Sequence, residues 1–342
     1  MRAVVVREHG GPECLLFEER PVPSPGPGEV LVRVKACSLN HLDVWVRKGV
    51  PGHKFPLPLV PGCDAAGVIE AVGEGLPSSE LGRAVLVAPG VSCGQCEACA
   101  AGRDLLCRHY GILGESRDGA CAEFLCVPAA NALPLPAGLD FEQAAAVPLV
   151  FLTAWHMLVG RAELRQGETV LIHAAGSGVS SAAIQIARLF GARILATAGS
   201  PIKLERAREM GADETIDYRS ADFADEVRRL TGKRGVDVVL DHLGGEVFEK
   251  SVRCLARGGR LVTCGATIGP RASVDLRMLF FKGLSLLGST MGYRSELVEL
   301  LKHVESGRLR PVVDRVLPLA ELRAAHELLE SRRVFGKIVV VP

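Results

Sequence analysis

The sequence predicts an α/β protein of two domains, one β-rich and one built on a six-stranded, doubly wound parallel sheet. Three observations point there. Short β-branched runs separated by Gly and Pro fill the chain to about Val127, including EVLVRVKA, AGVIEAVG and AVLVAPG. From about Gly167 the rhythm becomes strand, helix, strand, helix. A length of 342 residues suits two ordinary cores.

Many short strands with turn signals between them imply a barrel-like or sandwich unit for the first part. In the second part VLIHA, ILATA, ETIDY, DVVLDH, RLVTCG and LSLLG read as six strands. The first intervening helix, GVSSAAIQIARLFG, sets Val179, Ala183, Ile186, Ala187 and Phe190 on one face, with Gly191 past its end. The second has Ser200 as N-cap, Pro201 at its first position and Gly211 as terminator. Strands alternating with helices mean parallel βαβ units. The tail from about Ser289 offers helix, strand, helix, strand and is too short to stand alone, so it is expected to rejoin the first domain.

Composition excludes several functions. Hydrophobic residues make up 48%, charged residues 23% and aromatics 5%, with a formal net charge of +1. This is a globular profile with no field for nucleic acid or a membrane surface. The apolar stretch from Ala144 to Gly160 is about 17 residues, at the lower edge for a membrane span, and is interrupted by Pro148 and His156. It reads as a buried helix with its lead-in. The N-terminus has no signal-peptide core, so a cytoplasmic location is expected, where the 11 cysteines stay as thiols or bind metal.

Strand VLIHA runs through AAGSGVSS straight into a helix. Small residues there let backbone approach a pyrophosphate, and the helix N-terminus offers free N–H groups. Ala175, Gly176, Ser177, Gly178, Val179 and Ser180 are the candidates, in the registers Gly176-Ser177-Gly178 followed by Ser181, or Ala175-x-Ser177-x-x-Ser180. The next strand ends in Ala198-Gly199-Ser200 with no carboxylate for a ribose 2′-hydroxyl, and Lys203 follows. That combination favours a 2′-phosphate, hence NADP(H) over NAD(H).

Cys93, Cys96, Cys99 and Cys107 stand at C-x2-C-x2-C-x7-C. Four thiolates suit tetrahedral Zn2+ and leave no position for water or substrate, the pattern of one structural zinc per subunit. The remaining cysteines at 14, 37, 121, 126, 254 and 264 read as small buried hydrophobes.

With GPGEVLVRVKA, PGCDAAGVIEAVGEG, the cysteine lobe, the βα half and the closing GKIVVVP, the chain resembles the medium-chain dehydrogenase/reductases. It is similar to zinc-type alcohol dehydrogenases in its lobe and to quinone oxidoreductases elsewhere. The resemblance implies a GroES-like catalytic domain over 1–148 and 286–342, carrying the zinc lobe at 93–107. It also implies a Rossmann dinucleotide-binding domain over 149–285, with the active site in the cleft between the two. Where zinc enzymes of the family place catalytic ligands, this chain has Asn40-His41-Leu42-Asp43, Gly62-Cys63-Asp64 and about Leu149. Only Cys63 ligates as it stands. The quinone-reductase branch likewise has Asn and an acid at the first motif, which implies site roles for Asn40 and Asp43, and His41 matches a proton-relay position. Lys203, Tyr218 and Arg332 match that branch's 2′-phosphate and C-terminal positions, and Gly199 and Ser200 complete the cofactor set.

The expected function is hydride transfer between NAD(P)H and a carbonyl, quinone or enone, with a structural zinc and no catalytic zinc. The Asn40 amide and His41 are the expected donors to the substrate oxygen, oriented by Asp43. A zinc-dependent alcohol dehydrogenase with an atypical shell, and a non-catalytic NADPH-binding structural or sensor protein, are the alternatives. The expected partners are a small-molecule substrate and further copies of the chain, as homodimer or homotetramer through strand LSLLGST, with no nucleic acid and no membrane.

Overall fold

The computed structural model describes all residues, Met1–Pro342, which form two compact units, 1–150 with 293–342, and 151–292.

In the first unit β1 (Arg2–Val6) and β2 (Leu15–Glu19) pair antiparallel. β3 (Glu29–Ser38) leads into α1 (His41–Lys48), followed by β4 (Asp64–Val72) and β5 (Ala84–Val87). The cysteine lobe is β6 (Gly90–Val91), α2 (Glu97–Ala100) and β7 (Gly111–Ile112), with β6 and β7 paired at its base. β8 (Phe124–Pro128), β9 (Ala132–Pro134), α3 (Phe141–Ala145) and α4 (Pro148–Trp155) follow. The apolar stretch is thus two short helices and a π-helical turn, and no helix of the chain is long and apolar enough to cross a membrane.

The second unit alternates β10 (Thr169–Ile172), α5 (Gly178–Leu189), β11 (Arg193–Ala198), α6 (Pro201–Met210) and β12 (Glu214–Asp217). It continues with α7 (Phe223–Leu230), β13 (Val236–Asp241), α8 (Gly245–Cys254), β14 (Leu255–Thr263), α9 (Leu276–Lys282) and β15 (Ser285–Gly288). Its sheet has the order β12-β11-β10-β13-β14-β15, every pair parallel. This is the doubly wound dinucleotide-binding topology. All four residues of β10 are buried, because helices cover both faces of such a sheet. The expected boundary at 285/286 is corrected: it would cut β15, which pairs with β14 through Gly288, and the unit runs to Gly292.

The tail supplies α10 (Arg294–Glu305), β16 (Val313–Pro318), α11 (Leu322–Glu330) and β17 (Lys337–Val341). β17 pairs antiparallel with β3, Val339 against Ser38 and Val340 against Cys37, so the C-terminus closes the large sheet of the first unit. Gly336 precedes it at φ 95°, and a Cβ there would lie 2.3 Å from the Val312 carbonyl oxygen. Only glycine fits this close approach. The cysteine expectation is corrected in part. Cys37, Cys121 and Cys254 are buried, but Cys14, Cys126 and Cys264 are only half-buried.

Candidate functional site

Three strand ends meet in the first unit. The register of β3 on β4 sets Ser38 opposite Asp64, and that of β17 on β3 brings the start of β17 beside the end of β3. Asn40, at the N-cap of α1, continues from this junction. Its backbone N–H donates to Asp43 Oδ2 at 2.7 Å, and Gly62 N–H donates to Asp43 Oδ1 at 2.9 Å. Asp43 therefore caps α1 and fixes the approach to Cys63. Burial pushes its carboxyl up to about 6, against the lowering effects of the Asn40 N–H and the Lys337 ammonium.

Asp64 is fully buried. Its Oδ1 accepts from Leu149 N–H at 2.8 Å. Its Oδ2 accepts from Asn40 Nδ2 at 2.8 Å and from Lys337 Nζ at 3.1 Å, with Ser38 Oγ also 3.1 Å away. Asn40 Nδ2 further donates to Cys63 Sγ at 3.2 Å, and Asn40 Oδ1 accepts from Lys337 Nζ at 2.5 Å. The expectation that the Asn40 amide faces a substrate oxygen is corrected by these partners, since both ends of the amide are engaged within the protein. Cys63 is buried, and desolvation followed by the Asp64 and Asp43 charges holds its thiol well above the usual range.

His41, one residue on, is partly exposed. Burial lowers its pKa, helped by the positive charges of Arg332 and Lys337, so near neutral pH the ring carries one N–H and one lone pair. Arg332, in the left-handed region at φ 55°, thus acts on the His41 neighbourhood of the first unit, whereas the other expected cofactor residues lie in the second.

Lys337 was not among the expected site residues, and Asp64 entered only in the alternative reading, where a second zinc would be held by Cys63 with some combination of His41, Asp43 and Asp64. Lys337 is 3% exposed, and its third N–H donates to Leu39 O at 2.7 Å. The available signal was a lysine opening an otherwise apolar run, GKIVVVP, which reads as a buried strand with one cation inside.

In the second unit, the turn after β10 places Ala175 N–H on Thr197 O at 2.8 Å and makes Ser177 the N-cap of α5, its Oγ accepting from Ser180 N–H. Ser180 Oγ donates back to His173 O at 2.6 Å. Gly178 and Val179 form the first turn of α5, whose N–H groups are those a phosphate uses. Burial, then the charge of His242, pushes His173 down to about 3. This neutral ring bridges Thr197 Oγ1 at 3.2 Å and Ser251 Oγ at 2.7 Å, which ties the turn to neighbouring elements. Lys203 lies across Gly176, its Nζ 3.1 Å from where a Cβ would stand, and Tyr218 Oη is 2.5 Å from the equivalent point on Gly199. Ser200 caps α6 through Lys203 N–H. The turn, Lys203 and Tyr218 are thus gathered at the carboxyl ends of β10 and β11, the residues that would hold an adenosine phosphate.

The four lobe cysteines converge, with all Sγ atoms within 4.8 Å of one another. Cys93 to Cys99 is 3.9 Å, Cys96 to Cys99 is 3.5 Å and Cys93 to Cys107 is 3.5 Å. Sulfurs about 2.3 Å from a central zinc form a tetrahedron with edges of about 3.8 Å, so the donor set fits this ion. Backbone N–H groups of Gln95 and Cys96, with Cys107, lower the Cys93 thiol to about 6. The lobe is tied to α10 by Asp104, which accepts from Arg294 N–H at 3.3 Å.

Residues 26–137 match the family profile described as "Alcohol dehydrogenase GroES-like domain", and residues 178–306 the profile "Zinc-binding dehydrogenase". A rat (Rattus norvegicus) quinone oxidoreductase is 32% identical over 100% of this chain and 98% of its own length. A crystal structure described as an NAD-dependent alcohol dehydrogenase is 54% identical, covers 100% of both chains and superposes with a TM-score of 0.96. A cobalt and zinc bound thermostable alcohol dehydrogenase from Pyrobaculum aerophilum is 35% identical, with 100% and 99% coverage and a TM-score of 0.91.

Proposed function

The chain belongs to the zinc-binding dehydrogenases of the medium-chain dehydrogenase/reductase superfamily and is an NAD(P)-dependent oxidoreductase; we propose that it transfers hydride between NADP(H) and a carbonyl, quinone or conjugated enone. In this reading zinc at Cys93, Cys96, Cys99 and Cys107 is structural, and no metal ion takes part in the chemistry at Asn40 and Cys63. The observation that carries it is the buried network of the first unit, in which Asn40, Cys63 and Asp64 already serve one another and Lys337. The nicotinamide supplies the hydride chemistry when bound.

The residues of this chain bind, orient and handle the proton. Ala175 to Ser180 offer small side chains and N–H groups to the pyrophosphate, and Gly199, Ser200, Lys203 and Tyr218 serve the adenosine side. His41 donates its ring N–H to the acceptor oxygen, where negative charge develops. Asn40 and Asp43 position the helix that carries His41. Cys63 packs under the site as a neutral thiol.

The test is a screen of quinones, enones, aldehydes and alcohols with NADPH and NADH, together with zinc analysis. Turnover of quinone or enone with NADPH and one zinc per chain is expected. Lys203→Ala should raise KM for NADPH about tenfold and leave KM for NADH nearly unchanged; an equal change in both would remove Lys203 from 2′-phosphate recognition. A second reading, a zinc-dependent alcohol dehydrogenase using NAD(H), is favoured by the alcohol dehydrogenase relatives at 54% and 35% identity. It requires two zinc ions per chain and turnover of alcohols with NAD.

A further inference from the structure

We propose that Lys337 is the resident cation of the Asn40–Cys63–Asp64 site, its ammonium locking these groups together and keeping a divalent metal ion out. The inference rests on the reading above and supplies its physical cause.

Three kinds of electron-pair donor meet here: an amide oxygen, a thiol sulfur and a carboxylate. Together they would suit a transition-metal ion. Each is already in use. Asn40 Oδ1 accepts from Lys337 at 2.5 Å, Cys63 Sγ accepts from Asn40 Nδ2 at 3.2 Å, and Asp64 accepts from Leu149 N–H on one oxygen and from Asn40 and Lys337 on the other. The ammonium is equally committed, with three N–H groups and three acceptors, Leu39 O, Asn40 Oδ1 and Asp64 Oδ2. It has no solvent to retreat into, because Lys337 is 3% exposed and Asp64 0%. Nor can the backbone yield. Leu39 N–H donates to Ile338 O at 2.9 Å and Lys337 N–H to Val312 O at 2.8 Å, which pins the lysine from both sides.

A divalent ion entering this cluster would have to take Asp64 from its donors and then sit beside a buried positive charge with little dielectric between them. Lys337 neutralises Asp64 with an ammonium that cannot dissociate from the chain. Replacing it with a neutral residue leaves a buried carboxylate, an amide oxygen and a thiol facing one uncompensated gap, and the cluster then attracts the ion that it now excludes.

The test uses the full-length protein with its lobe filled by zinc, and Co2+ alone as the probe, because cobalt bound to a thiolate absorbs in the near ultraviolet. The unmodified protein is expected to develop no cobalt–thiolate band on titration and to keep one zinc per chain. Lys337→Gln is expected to bind Co2+ tighter by about tenfold or more, with a band that disappears in Lys337→Gln/Cys63→Ser. Lys337→Arg, which retains a cation, is expected to stay free of the band. In Lys337→Ala, ethylammonium should suppress cobalt binding while tetramethylammonium at equal concentration does not. A Cys63-dependent band in the unmodified protein overturns the proposal, and that arm needs no variant to fold. So does a folded Lys337→Gln that binds no cobalt. Metal binding is read without turnover, so a negative substrate screen would count against the proposed reaction and leave this result standing.

Discussion

His41 is the one group at the first-unit site that is both partly exposed and able to hold or give a proton near neutral pH. Its neighbours Asn40 and Asp43 are consumed by the protein itself. His41→Ala is therefore expected to lower kcat by about a hundredfold with little change in the Kd for NADPH, measured by stopped-flow reduction of the best acceptor and by cofactor fluorescence. An unchanged kcat would assign the proton to another group. Asp43 makes a different prediction, about stability. Its folded pKa of about 6 lies above the ordinary 3.8, so the native state holds this proton more tightly than the unfolded chain. The Asp43 contribution is thus fully present below the ordinary carboxylate pKa and is lost as pH rises through about 6. In urea unfolding, the stability difference between the parent and Asp43→Asn should shrink from about pH 4 to pH 7, by at most roughly 3 kcal/mol. A difference independent of pH would contradict the raised pKa. The asparagine variant serves as the reference because its amide stays neutral at every pH, with its NH2 group facing one backbone N–H, of Asn40 or Gly62.

At the scale of elements, the cysteine lobe and the sheet junction show two ways of fixing a loop. The lobe has little core of its own: α2 is four residues long, β6 and β7 two each, and α2 contains no buried residue. A metal is the natural staple for so small a segment. Cys99→Ser should reduce zinc below one per chain by atomic absorption and lower the unfolding temperature, each kcal/mol lost shifting it by roughly 2 °C for a chain of this size. Retention of full zinc would show that the lobe is not the metal centre. The junction of β3, β4 and β17 instead relies on register. Gly336 turns the chain where no Cβ fits, and the strand that follows presents Lys337 to Asp64.

At the scale of the molecule, β15 ends its sheet with one side unpaired, and α9 just before it exposes Leu276, Phe280 and Phe281 at 67%, 64% and 69%. The expected self-association through strand LSLLGST would cover this open strand edge and the apolar surface beside it with a second copy of the chain. Sedimentation equilibrium should give a dimer or a multiple of it, and Phe280→Asp/Phe281→Asp should halve the mass; a native monomer would remove the surface from consideration. The sequence alone determined what depends on near neighbours: alternation of strands with helices in the second unit, the N-caps Ser177 and Ser200, and the four cysteines within one short loop. These are legible because a few residues set each periodicity, cap or ligand spacing. It placed Asn40, Asp43 and Cys63 at one site by resemblance, but not the partners that determine their chemistry. Lys337 lies 297 positions from Asn40 and 273 from Asp64, and no local pattern connects residues so far apart. Only the pairing of β17 with β3 and of β3 with β4 brings them within hydrogen-bond reach, and burial then commits the ammonium to the carboxylate and amide. Tertiary structure drew the Asn40 amide, which the sequence reading had expected to face a substrate oxygen, into an inward-facing network with Cys63, Asp64 and Lys337.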